Sequence, residues 1–248
     1  MRILLLDIET APNTAHVWGL WDQTVGLNQL LESSYVMCWA AKWYDEKSIM
    51  FDSVMQSRHL SMLKRVHKLL DEADVVVHYN GRSFDIPTLN KEFVLHGLTP
   101  PSPYKQVDLL QVVKRQFRFP SNKLDYVAQK LNIGRKVKHE GHEMWIKCMG
   151  RDKAAWKAME KYNRQDVVVL ERLYVRLLPW ISNHPNHGLY KSTEEAVCPS
   201  CGSTHLQRRG EARTVNALYS RMQCTDCGAW SRAVKQESRR KVQMRHSS

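Results

Sequence analysis

Residues 4 to 10 read LLLDIET, and no other stretch constrains the fold as strongly. An apolar run of this kind marks a buried strand, assigned here to residues 2–8. Two acids, Asp7 and Glu9, stand at its end. Side chains alternate along a strand, so both carboxylates share one face, with Cα atoms roughly 7 Å apart. Like charges that close repel unless one is protonated or a cation lies between them. Taken alone, the pattern equally describes a strand whose last residues meet solvent.

The following pattern reads as a mixed α/β domain. Residues 35–44 and 48–55 are strand-like, and a turn at Asp45, Glu46 and Lys47 joins them as a hairpin. Leu60, Leu63, Val66, Leu69 and Leu70 recur at helical spacing within 58–73. Residues 74–80 form a buried strand, and 85–97 a helix closed by Gly97. Residues 106–117 begin extended and turn helical. Residues 121–134 form a short helix capped by Ser121 or Asn122 and stopped at Gly134. Residues 152–180 are helical and end near Pro179.

Two further acids sit at chemically pointed positions. In HYNGRSFDIP (78–87), a strand ends at Asn80-Gly81 and Asp85 opens a helix. Asp is a favoured N-cap and Pro87 suits a first turn, so a purely structural cap is one reading. In MEKYNRQDVVVLERLY (159–174), Met159, Tyr162, Asp166, Val169 and Leu173 fall on one stripe of a helix. Asp166 lies in the middle of that inward stripe. A buried carboxylate needs a cation, an arginine or hydrogen-bond donors, so a salt bridge is its alternative reading. Four acids converging from strand ends and a helix face would hold two divalent cations about 4 Å apart.

The set D-I-E-T, N-x-x-x-F-D and Y-x-x-x-D resembles the three exonuclease motifs of the DEDD family, with Tyr162 marking the tyrosine subclass. It is most similar to the 3′–5′ proofreading domain of family B DNA polymerases and its stand-alone phage and bacterial relatives. KLDYVAQKLNIG (123–134) also resembles a segment those domains carry between the second and third motifs. The resemblance covers about residues 1–180. It implies an RNase H-like mixed sheet flanked by helices, and a hydrolase releasing nucleoside 5′-monophosphates from 3′-hydroxyl ends. Nothing after residue 180 has room for a polymerase palm or fingers, so a stand-alone exonuclease is expected.

By the same resemblance, Asp7 would bridge two magnesium or manganese ions. Glu9 and Asp166 would complete the site of the attacking water, Asp85 would serve the second metal, and Tyr162 would position the water. A phenol with a pKa near 10 is a poor base. Thr10, Asn80 and Phe84 would shape the cleft, although Asn80 reads equally as a turn residue before Gly81. The basic stretch RKVKHEGHEMW (135–145), with Arg135, Lys136 and Lys138, is expected as a loop lining a single-strand groove. Trp18 and Trp21 are placed either to stack on bases or to anchor in the core.

The C-terminal fifth differs in composition. CPSC (198–201) and CTDC (224–227), each followed by Gly, read as two knuckles of a structural zinc ribbon with ligands Cys198, Cys201, Cys224 and Cys227. Cys38 and Cys148 read as buried thiols. The whole chain of 248 residues carries a formal net charge of +12. From Cys198 onward ten Lys and Arg face three Asp and Glu, a net of +7. Four zinc-bound thiolates leave roughly +5 of that. Arg208, Arg209, Arg213, Arg221 and Arg232 surround the knuckles. Such charge suits nucleic acid, with docking to a replication protein as the alternative.

The expected organisation is an exonuclease domain (1–180), a linker (181–197), a zinc ribbon (198–234) and a basic, disordered tail (235–248). DNA, with single-stranded or frayed 3′ ends favoured, is the expected substrate and RNA the nearest alternative. Two other classes fit less: a transposase-like strand-transfer enzyme, which does not require Y-x-x-x-D, and a non-catalytic adaptor, against which the complete acid set argues. No apolar run approaches the ~20 residues of a membrane span, and acids stand where a signal peptide needs small neutral residues. A cytoplasmic protein of a bacterium or a phage-infected host is therefore expected, in replication, repair or degradation of DNA.

Overall fold

The apolar run after Met1 forms the central strand, and everything that bears on the site is arranged around it. The computed structural model describes residues 1–135, 140–191, 195–215 and 217–235; Lys136 and Lys138, and residues 236–248 of the basic tail, lie outside these. In chain order the elements of the first unit are β1 (Ile3–Thr10), β2 (Thr14–Ala15), β3 (Leu30–Glu32), β4 (Val36–Trp43), β5 (Met50–Ser53), α1 (His59–Glu72) and β6 (Val75–His78). They continue with α2 (Asp85–Leu95), β7 (Lys105–Asp108), α3 (Leu109–Gln116), α4 (Leu124–Lys130), α5 (His142–Met149) and α6 (Lys153–Leu177). Two compact units divide the chain, Arg2–Tyr174 and the part from Val175 onward.

The sheet of the first unit runs β5-β4-β1-β6-β7. β4 and β5 pair antiparallel and form the expected hairpin, while β1, β6 and β7 are parallel. The centre of this sheet is covered on both faces, which explains why β1, β4 and β6 read as continuous apolar runs. On one face Leu4, Leu6, Ile8, Trp39 and Trp43 pack with Leu63, Val66 and Leu70 of α1 and Leu89 and Phe93 of α2. On the other, Cys38 packs with Met144 and Cys148 of α5 and Trp156, Met159 and Tyr162 of α6. Burial of each large side chain here contributes roughly 1.5–3 kcal/mol. Lys42 of β4 forms a partly buried ion pair with Glu171 of α6. It locks the helix to the sheet just beyond Asp166.

Helix ends follow local chemistry. α2 ends in a Schellman turn: Leu98 N–H donates to Phe93 O (2.8 Å) and Gly97 N–H to Val94 O (3.2 Å). Gly97 has φ +69°, as the expected stop requires. The cap of α4 differs from expectation. Lys123 is its N-cap, and the Ser121 hydroxyl instead accepts from Lys123 N–H, one residue outside the helix. The stretch expected as a loop over 135–145 also differs, because His142–Met149 is helical and starts from Gly141 at φ +67°. Met144 and Cys148, spaced i,i+4 on its buried face, supply the reason. Residues 14–15 and 30–32 form a small two-stranded ribbon that the sequence does not announce. Between them Trp18 is 99% and Trp21 84% exposed, so neither is a core anchor.

The second unit contains a sheet of β8 (Leu206–Arg213), β9 (Leu218–Cys224) and β10 (Trp230–Arg232), ordered β10-β9-β8 and antiparallel. Short 3-10 turns occupy 178–180 and 187–190. His187 N–H donates to Pro199 O (2.9 Å), tying the second turn to the first cysteine knuckle. Among the described residues no helix is long and apolar enough to cross a membrane.

Candidate active site

β1 delivers Asp7 and Glu9 to the face covered by α6, and α6 delivers Asp166 from its buried stripe. Opposite the two acids on β4 stand Cys38 and Ala40, small residues that leave the carboxylates room. One oxygen from each of Asp7, Glu9 and Asp166 lies within 4.8 Å of the others. Asp166 is only 1% exposed. Three carboxylates so close, one of them buried, repel strongly in the absence of a cation. Their donor set is all hard oxygen, which fits magnesium or manganese. The same charges act on a neighbour: burial first, then Glu9 and Asp7, push the Cys38 thiol well above its ordinary pKa. Cys38 and Cys148 are buried thiols, as read from sequence.

Asp85 comes from the other side of β1. β6 pairs with β1 only from Ile3 to Leu5 and ends at His78. Beyond that point Ile8 N–H donates to the Asp85 carboxylate (3.2 Å). Asp85 is buried and is the first helical residue of α2, whose N-cap is Phe84. It is therefore not the cap, and its carboxylate is turned toward β1. It lies outside the group formed by the other three acids. Phe84 is about half exposed at the head of α2, and Thr10 ends β1 after a register shift. Tyr162 is buried against Trp145, whose ring meets it edge-on with centroids 6.0 Å apart. Arg135 is exposed.

Two residues that sequence reasoning missed hold this arrangement. Asn163, fully buried on α6, donates through Nδ2 to Asp7 Oδ2 (2.6 Å). An asparagine inside a helix is a mild signal, since its amide competes with the backbone and needs a partner elsewhere. Asp108, at the end of β7, caps α3 by accepting from Leu110 N–H (3.0 Å) and also accepts from Asn80 N–H (2.9 Å). Only tertiary structure brings Asp108 to a turn 28 residues away.

That turn sets the entry to α2. Asn80 takes φ +68°, which asparagine tolerates better than most residues, so its turn reading fits the backbone. Gly81 N–H donates to His78 Nδ1 (3.0 Å), and His78 Nε2 meets Gln106 Oε1 (3.1 Å). Burial lowers the His78 pKa, with Asp108 opposing, and the imidazole is neutral, as an Nδ1 acceptor must be. A Cβ on Gly81 would lie 2.4 Å from His78 Cγ, and His78 is fully buried. Gly81→Ala should therefore lose roughly 2–3 kcal/mol of stability by overpacking. Gly97→Ala, strained in φ but facing open space, should lose only about 1 kcal/mol. Urea unfolding of both variants checks this, and equal losses would remove the close-approach argument.

In the second unit the four cysteines cluster. Cys198 Sγ lies 3.7 Å from Cys227 Sγ, and Cys201 Sγ 3.6 Å from Cys224 Sγ. A tetrahedron with zinc–sulfur bonds of about 2.3 Å has edges of about 3.8 Å, so the set fits zinc. The knuckles are built alike. Gly202 N–H donates to Cys198 O and Gly228 N–H to Cys224 O, with φ of +75° and +81°. Burial acts to raise the Cys224 thiol, but hydrogen bonds from the Cys227 and Asp226 backbone bring it down to about 7. Arg221 stacks on Trp230 (5.1 Å) and Arg232 on Tyr219 (4.4 Å).

The model of the RNase H superfamily matches residues 4–178, and the chain belongs to that superfamily. Its fold is thus that of the RNase H superfamily. No curated protein matches the chain. Among solved structures it is similar to the family B DNA polymerase from the hyperthermophilic archaeon Pyrobaculum calidifontis, with a TM-score of 0.54 and 21% identity. The match covers 72% of this chain and 24% of the polymerase chain, so the chain spans about a quarter of that protein. The expected RNase H-like sheet flanked by helices, followed by a small four-cysteine unit, is the observed fold.

Proposed function

We propose that the chain is a 3′–5′ exonuclease that removes nucleoside 5′-monophosphates from single-stranded or frayed DNA ends. The observation that carries this reading is the convergence of Asp7, Glu9 and Asp166 within 4.8 Å on an RNase H fold. Asp7, Glu9 and Asp166, with Asp85 from α2, hold two magnesium or manganese ions. When bound, the metals supply an activated water and stabilise charge on the phosphate and the leaving 3′ oxygen. Asn163 fixes the Asp7 carboxylate by its 2.6 Å hydrogen bond, so that oxygen cannot rotate away from the phosphate. Ile8 N–H fixes Asp85 in the same manner. Tyr162, four residues before Asp166 on the same helical stripe, orients the attacking water. Thr10, Asn80 and Phe84 line the path of the terminal nucleotide, with Arg135 along the strand. The four cysteines hold one structural zinc, and the arginine-faced sheet of the second unit binds the nucleic acid.

The test uses matched single-stranded, duplex, mismatched and RNA substrates labelled at the 5′ end, with magnesium. The expected result is a ladder of products shortened one nucleotide at a time from the 3′ end of single-stranded DNA. Internal cuts, or transfer of one strand to another, would overturn the exonuclease reading. A faster ladder on RNA would move the substrate assignment and keep the chemistry.

A further inference from the structure

A second ligand cluster stands apart from the acids already described. His59 opens α1, while Glu92 and His96 lie one turn apart at the end of α2. One ligand atom from each lies within 4.8 Å of the others. Glu92 is a buried carboxylate, 3% exposed. Its Oε1 is met by the Lys91 ammonium (3.1 Å). Its Oε2 faces two imidazoles at once, His59 Nε2 at 3.7 Å and His96 Nε2 at 3.9 Å. Both separations are too long for hydrogen bonds. They are a few tenths of an ångström above the ~3.4 Å edge of a tetrahedron with bonds of about 2.05 Å.

His59 shows what the cluster lacks. Its Nε2 is buried and has no hydrogen-bond partner. With its proton on Nδ1, the ring offers a lone pair at Nε2, the tautomer a metal-bound histidine uses. The three residues line a pocket of about 970 Å³, which also takes in Tyr35, Arg58 and Arg151. An ion and a fourth ligand can therefore enter.

We propose that His59, Glu92 and His96 form a zinc site, separate from the acid cluster, whose fourth position opens into this pocket. Two imidazoles and one carboxylate are a borderline-soft set that prefers zinc to magnesium, in contrast to the all-oxygen cluster of Asp7, Glu9 and Asp166. Three protein ligands leave one position for water or an anionic oxygen. The ion ties the first turn of α1 to the last turn of α2.

The probe is zinc itself, titrated into the full-length chain with its cysteine site already loaded and magnesium in excess. Wild type should take up one zinc more than His96→Ala, with affinity for that equivalent reduced at least ~100-fold in the variant. Glu92→Gln should behave likewise. Asp7→Asn should keep the additional equivalent. Zinc should also raise the melting temperature of wild type above that of zinc-treated His96→Ala. His96 is exposed, so its replacement tests binding without endangering the core. Equal uptake and equal melting shifts in wild type and His96→Ala would overturn the proposal. So would loss of the equivalent in Asp7→Asn alone, which would place the zinc among the acids.

Discussion

Asp7→Ala should abolish nucleotide release, by at least about 10³-fold, while the chain remains folded. Asp7 is the acid with the most demanding surroundings. It shares a strand face with Glu9, meets Asp166 across the helix interface, and is held by Asn163. Removing it takes away one ligand of the proposed metal pair and one of three mutually repelling charges. Without divalent metal, relief of that repulsion favours the variant, while the Asn163 amide left without its acceptor costs about 1–3 kcal/mol. The two effects oppose, so the melting temperature without metal should change little. Magnesium should stabilise wild type and not the variant, because a ligand that binds only the folded state raises its stability. Asp7→Asn separates the terms: it keeps an oxygen to accept from Asn163 yet removes one carboxylate oxygen and its charge from the donor set. Wild-type rates in either variant, purified free of contaminating nuclease, would sink the catalytic assignment.

The core of the fold was legible because it rests on local periodicity. β1, β4 and β6 are apolar runs, and the Met159–Tyr162–Asp166–Val169–Leu173 stripe is buried throughout. The Gly97 stop likewise follows from one residue's backbone freedom. What the sequence hid depends on distant parts of the chain. Asp85 reads locally as a cap, yet the cap is Phe84, and the Asp85 carboxylate is drawn to an N–H that β6 leaves behind. Asp108 looks like an ordinary helix cap and also holds the turn at Asn80. α5 was obscured by its charged and histidine-rich flank, since only Met144 and Cys148 are buried. The His59–Glu92–His96 cluster joins two helices, and no spacing rule reaches from 59 to 92.

Removing the metal from the four cysteines should unfold the β8–β10 sheet outright. Among the described residues, the buried cluster beside this sheet is only Cys198, Cys224 and Ala229, with Cys201, Leu206 and Cys227 packed against it. A three-stranded sheet with so little buried carbon would depend on the proposed zinc, whose apparent binding in such four-ligand sites is worth roughly 10–16 kcal/mol. Cys224→Ser, or chelation of the full chain, should erase the amide signals of 206–232 while those of β1, β4 and α6 persist. Nucleic-acid affinity should fall with it, because the exposed face of that sheet carries Arg221 on Trp230 and Arg232 on Tyr219. Flat aromatic–guanidinium pairs suit stacking on unpaired bases, and each arginine that reaches a phosphate adds roughly 0.7–0.9 to the slope of log affinity against log salt. Turnover at saturating substrate should survive, since every candidate catalytic acid lies before Tyr174. A salt titration of binding, with calcium in place of magnesium to suppress cutting, measures the slope for wild type and Cys224→Ser. A shallower slope in the variant supports the sheet as a phosphate-contacting surface. Equal slopes would mean that it does not touch the strand, and its arginines would then be better assigned to an acidic protein partner.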